Sequence, residues 1–131
     1  MDATHAARRG PLRILLVEDH ADTLDMLGRV LRMDGHEVLP AAGFQAALRL
    51  CDSADFEVIV ADIQLGDGCG WALMEHLRRT RPRLAGIAMT GHGMREHRDR
   101  SIQAGYRAHL TKPIDFSRLR EAIRGCIDVP K

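Results

Sequence analysis

Four apolar runs in this chain stop at or near residues able to do chemistry. Leu15-Leu16-Val17 runs into Glu18-Asp19, and Val58-Ile59-Val60-Ala61 runs into Asp62. Ile87-Ala88-Met89 ends at Thr90, and Lys112 lies just past His109-Leu110. Three carboxylates brought together repel and raise one another's pKa. A hard divalent cation relieves that repulsion, and oxygen-only donors select Mg2+ or a relative. The remaining groups suit a phosphoryl group, Lys112 as a point charge and Thr90 as a hydroxyl donor.

These residues meet only if the runs are strands of one sheet. An unbroken β-branched run such as Val58 to Ala61 reads as a strand buried on both faces. Arg13 to Val17 is the first strand. Leu24, Leu27, Val30 and Leu31 then stripe a helix from Ala21, and Gly35 closes it. A short second strand lies within His36 to Pro40. Phe44, Ala47, Leu48 and Cys51 recur at helical spacing. After the third strand and a turn-rich segment, Ile63 to Gly70, a third helix carries Trp71, Met74 and Leu77 and stops before Pro82. Leu84 to Thr90 is the fourth strand. Met94 to Ala104 is a fourth helix, ended by Gly105, with a thin stripe of Met94, Ile102 and Ala104 that predicts the least firmly packed helix. Arg107 to Leu110 is the fifth strand, and Phe116, Leu119, Ile123 and Ile127 stripe a fifth helix. Such alternation predicts a parallel sheet with helices on both faces. Right-handed crossovers put every strand C-terminus on one edge, where ligands bind in such sheets.

Composition excludes other classes. The chain has 131 residues, enough for one domain, and a formal net charge of +1, which points to neither nucleic acid nor a membrane surface as partner. No apolar run approaches the roughly 20 residues that span a bilayer. Met1 to Gly10 lacks the apolar stretch of a secretory signal, so residues 1–11 read as a disordered lead-in and 12–128 as the domain. Cys51, Cys69 and Cys126 form neither a disulfide framework nor a zinc motif, which fits a reducing cytoplasm. Arg78, Arg79, Arg81 and Arg83 fall at and beyond a helix C-terminus, where cations are favourable.

In order along the chain, Leu15-Leu16-Val17-Glu18-Asp19, Val60-Ala61-Asp62-Ile63-Gln64-Leu65 with Asp67-Gly68-Cys69-Gly70, Met89-Thr90-Gly91 and Leu110-Thr111-Lys112-Pro113-Ile114 resemble the four blocks of the receiver domain of bacterial two-component response regulators. The resemblance covers about residues 12 to 127. It implies a flavodoxin-like three-layer α/β/α sandwich, a five-stranded parallel sheet of order 2-1-3-4-5 with five helices. It implies a phosphorylation switch, not a turnover enzyme, with Asp62 as phosphoacceptor and a histidine kinase or histidine phosphotransfer protein as donor. Asp19, Asp62 and the backbone carbonyl of Gln64 would bind Mg2+, Glu18 would act through a metal-bound water, and Thr90 and Lys112 would hold phosphoryl oxygens. A monomer or weak dimer is expected. The blocks around Thr90 and Lys112 also resemble receivers at the C-terminal end of hybrid sensor kinases.

Three positions depart from or vary within the family pattern. His109 stands three residues before the lysine, where the family usually has Tyr or Phe as an aromatic switch partnered by the threonine, here Thr90. Gln64 and His92 occupy positions that tune phosphate lifetime. An alternative is a Mg2+-dependent phosphatase of the haloacid-dehalogenase type, which also uses an aspartate nucleophile. That class needs a second acid where this chain has Gln64. A flavodoxin-like cofactor binder would need a phosphate-cradling loop where Glu18-Asp19 stand, and no recognition-helix unit is left over for DNA.

Overall fold

The fold is described from a computed structural model over residues 11–91 and 95–127. Strand β1 is Arg13–Val17, helix α1 Ala21–Met33, β2 Glu37–Ala41, α2 Phe44–Ser53 and β3 Val58–Asp62. A two-residue pair follows, β4 Gln64–Leu65 and β5 Gly68–Cys69. Then come α3 Gly70–Arg78, β6 Ala85–Thr90, α4 Arg95–Ala104, β7 Ala108–Thr111 and α5 Phe116–Ile127. The main sheet runs β2-β1-β3-β6-β7 with every pairing parallel. Its five strands in chain order thus lie 2-1-3-4-5, as expected.

Side chains alternate across each strand, so each strand feeds two cores. Leu15, Val17, Ile59, Ala61 and Ala88 pack with Ala47 of α2, Leu73, Met74 and Leu77 of α3 and Ala104 of α4. Ile14, Leu16, Val60, Ile87 and Met89 pack with Leu27 and Leu31 of α1 and with Leu119 and Ile123 of α5. The result is three layers, with α2, α3 and α4 on one face and α1 and α5 on the other. Every residue of β3 and β6 is buried, which is why those runs carry no alternation. Helices α1 and α4 are followed by glycines with positive φ, Gly35 at +94° and Gly105 at +116°, the left-handed closure expected of both.

Three features differ from the expectations. First, the segment after Asp62 is not a plain turn: β4 and β5 pair antiparallel, with Gln64 opposite Cys69 and Leu65 opposite Gly68. Second, β7 begins at Ala108, one residue later than expected. Third, α4 does not pack through Ile102, whose surface is 59% exposed. Its buried residues are Ser101 and Ala104, and Met94 and His92 lie outside the described residues. The covered face is mainly polar and is held by Trp71 of α3. The indole N–H donates to Ser101 Oγ at 2.9 Å, and Arg100 lies over the same ring while pairing with Glu75. Arg81, beyond α3, donates to the carbonyls of Cys51 and Ala54 and lies over the Phe56 ring, so it pins the end of α2. No helix among the described residues is long and apolar enough to cross a membrane.

Candidate functional site

Register alone brings the first two acids together. In the β1–β3 ladder Val17 stands beside Ala61, so the next step of the two strands sets Glu18 beside Asp62. Asp62 ends β3 with 3% exposure, and Glu18 is fully buried. Thr90 ends β6, also fully buried, and its backbone carbonyl accepts the Lys112 N–H at 2.7 Å. That bond carries β7 one residue past its end and turns Lys112 into the cleft. The following bond to Pro113 is cis.

Lys112 is the hub. Its Nζ donates to Glu18 Oε1 and to Asp62 Oδ2, each at 2.6 Å. Burial acts to lower the pKa of Lys112, but hydrogen bonds to Asp62 and Glu18 and their charges outweigh it and raise the value. Burial likewise pushes the Glu18 carboxyl up. Hydrogen bonds from Lys112 and His20, with the Lys112 charge, win and hold it below the usual range. Asp62 Oδ1 accepts the Gln64 N–H at 2.9 Å. Asp19 is more open, and its Oδ2 accepts the Gly66 N–H at 3.1 Å. The structure therefore brings Glu18, Asp19, Asp62, Thr90, Lys112 and the Gln64 backbone to one edge.

His109 is half-buried on β7, and its Nδ1 lies 3.2 Å from Ser101 Oγ. It thus belongs to the Trp71–Ser101 contact between α3 and α4. His92 lies outside the described residues.

Sequence reasoning missed three participants. His20 joins Glu18, Asp19 and Asp62 in a group whose ligand atoms all lie within 4.8 Å of one another, a set able to hold a metal ion. Its Nδ1 is 3.1 Å from Glu18 Oε2 and 3.4 Å from Asp19 Oδ1. Adjacency to the acidic pair was the available signal. Tyr106, the one tyrosine, is buried and donates its hydroxyl to the Gly70 carbonyl at 2.7 Å, which ties β7 to the start of α3. Burial raises its pKa. Ser101 carried no signal beyond lying three residues before Ala104 on a helix.

With this geometry in place, the family model described as response regulator receiver domain matches residues 14–124. The chain belongs to this family. A CheY-like receiver domain protein from Methanospirillum hungatei superposes on this receiver domain with a TM-score of 0.84 at 32% identity, covering 91% of this chain and 95% of that one. The non-phosphorylated HemR receiver domain of Leptospira biflexa gives 0.83 at 26%, over 92% and 97%. Among curated proteins, the transcriptional regulatory protein TcrA of Mycobacterium tuberculosis is 31% identical over 94% of this chain and 54% of its own length. The transcriptional regulatory protein GlrR of Escherichia coli is 27% identical over 90% of this chain and 27% of its own length. The receiver domain thus spans between about a quarter and about half of these relatives. Receiver domains are phosphoacceptor signalling modules, not turnover enzymes. The family match sets aside the haloacid-dehalogenase alternative, and Gln64 in place of a second acid agrees.

Proposed function

We propose that Asp62 accepts a phosphoryl group from a phosphohistidine, and that this switches the partner-binding face of the domain occupying residues 12–128. The observation that carries the reading is Lys112, whose Nζ reaches Asp62 and Glu18 at equal distance from the far end of the sheet. An Asp62 oxygen attacks phosphorus as the P–N bond breaks, and the electron pair leaves with the donor imidazole, which takes a proton. Lys112 and the Thr90 hydroxyl hold phosphoryl oxygens, and the Gln64 N–H holds the other Asp62 oxygen in place. Position, not covalent work, is the main contribution of the chain.

The donor set fits Mg2+, since the oxygens of Asp19 and Asp62 converge with Glu18 beside them. Asp19, Asp62 and the Gln64 carbonyl would hold it, with Glu18 acting through water. Bound there, Mg2+ supplies neutralisation of charge on the phosphoryl oxygens. Thr90 and His109 are the switch pair on this reading, with His109 acting through Ser101 on the α3–α4 contact. The donor is a histidine kinase or phosphotransfer protein. The output lies in a longer chain or a docking partner, since the curated relatives are longer transcriptional regulators.

Incubation with Mg2+ and acetyl phosphate should add one alkali-labile phosphoryl group, read by intact mass. Asp62→Asn should take none. Equal labelling of the variant, or labelling untouched by EDTA, overturns the assignment.

A further inference from the structure

The hairpin that follows Asp62 is fastened to a helix that supplies none of the site's side chains. Asp67, between β4 and β5, accepts the Phe44 N–H on Oδ1 at 2.7 Å and the Gln45 N–H on Oδ2 at 3.0 Å. These are free amides of the first turn of α2, and a carboxylate there completes their hydrogen bonding and complements the helix dipole. The cap is supplied from 22 and 23 residues away, while the residue at the N-cap position, Gly43, has no side chain to do it. The two pieces are in close contact. A Cβ on Gly43 would lie 2.8 Å from Asp67 Oδ1, and one on Gly68 would lie 2.6 Å from the Phe44 ring. A side chain at Gly68 would run into the Phe44 ring, and one at Gly43 would displace the Asp67 carboxylate.

The same hairpin touches the cleft twice. Its Gln64 N–H donates to Asp62 and its Gly66 N–H donates to Asp19. The two-residue ladder is packed into the core through Leu65, while Gln64, Gly66, Asp67 and Gly68 are exposed, so the tip that carries the Gly66 amide has only its polar contacts to hold it. Asp67 anchors one end of this short strip and the two metal-facing carboxylates lie along the other.

We propose that Asp67 is a positioning residue for the phosphoacceptor cleft, clamping the hairpin on α2 so that the Gly66 amide and the Gln64 backbone are set for Asp19, Asp62 and the cation. The proposal rests on the function proposed above. It also makes the N-terminus of α2 mechanically continuous with the cleft, so that strain at either is felt at the other.

The test compares the full chain with Asp67→Ala, Asp67→Asn and Asp115→Ala, reading Mg2+ affinity by calorimetry and melting temperature in EDTA. Asp115 caps α5 in the same way, accepting the Ser117 N–H at 2.8 Å, and so controls for the loss of a helix cap as such. Removing groups that orient metal ligands weakens binding by about 10–100-fold, and the exposed setting of Asp67 places the expectation for Asp67→Ala at about tenfold. Asp67→Asn keeps one of the two acceptors and sets an NH2 against the other amide, so it should recover only part of that loss. Asp115→Ala should lower the melting temperature similarly and leave Mg2+ affinity within twofold. In a nitrogen-15 spectrum Asp67→Ala should also shift the Gly66 amide. A fall in melting temperature with unchanged Mg2+ affinity makes Asp67 a cap and nothing more, which overturns the proposal. Failure of the underlying reading looks different, because the unsubstituted chain would then bind no Mg2+ and both fall together.

Discussion

Lys112→Met is the sharpest perturbation the cleft offers. The Glu18 and Asp62 side chains are 0% and 5% exposed, and one ammonium bridges them at 2.6 Å each. Removing one member of a buried ion pair costs about 3–5 kcal/mol, because the partner stays buried without its counter-charge. Here the ammonium is 23% exposed, so water screens part of the field, and Met retains most of the packing of the stem. About 2 kcal/mol is therefore expected at neutral pH, which for a chain of this size is a fall of about 4–10 °C in melting temperature. The pH dependence has a definite sign. Glu18 is held below its ordinary value, so its contribution is present above the unfolded pKa of about 4.3 and fades as pH falls through the lower folded value. Lys112 is raised, so its contribution is present below about 10.4 and fades as pH rises through the higher folded value. The wild type keeps the full advantage between those limits. In the variant two neighbouring carboxylates lack a cation, and protonating one relieves them, so the gap between the proteins should shrink from neutral pH toward pH ~4. Millimolar Mg2+ should narrow the gap as well, since it meets no competing ammonium at the same oxygens. Thermal unfolding followed by circular dichroism, in EDTA and in Mg2+, at neutral and mildly acid pH, measures all of this. A variant that melts with the wild type in EDTA, or a gap indifferent to both pH and Mg2+, refutes the account of Lys112 as the counter-charge of the cleft.

Two further substitutions probe the supports around the site. Tyr106→Phe leaves the Gly70 carbonyl without its buried donor and should cost about 1–2 kcal/mol in urea denaturation, with Mg2+ affinity unchanged. A loss under about 0.3 kcal/mol would show that water replaces the hydroxyl. Ser101→Ala removes the acceptor of the Trp71 indole and the neighbour of His109, and should cost about 1–2 kcal/mol while moving the indole N–H resonance and the His109 ring signals together. Independent behaviour of the two signals would disconnect α3 from β7.

Much of this was readable in advance because it is repetitive. Val58 to Ala61 and Gly86 to Met89 are short runs with no polar break, rich in residues that suit a strand covered on both faces. Their ends announced Asp62 and Thr90, and the parallel alternation put Glu18, Asp19 and Lys112 on the same edge. What escaped depends on one side chain finding one distant partner, which has no period. Asp67 reaches across to Phe44 and Gln45, Tyr106 to Gly70, and Ser101 to Trp71. Helix α4 misled for a related reason. Ile102 is its apolar residue, yet a hydrogen-bonded Ser101 can be buried at lower cost than its polarity suggests, and Trp71 made that rotation the better one.

The all-parallel sheet also fixes when the site comes into being. Each pairing joins segments separated by a crossover, as Ile14 with Val38 or Ile14 with Val58, so loop entropy is lost before any contact returns it. During synthesis β1 and the Glu18 that follows it emerge first, Asp62 comes two strands later, and Lys112 comes last, 94 residues after Glu18. A chain that has laid β1 against β3 has Glu18 beside Asp62 with Lys112 still to come, so the two ion pairs that tie this edge cannot form until β7 has docked. The cleft is thus complete only when residues from both ends of the chain have met, although its first residue is made early.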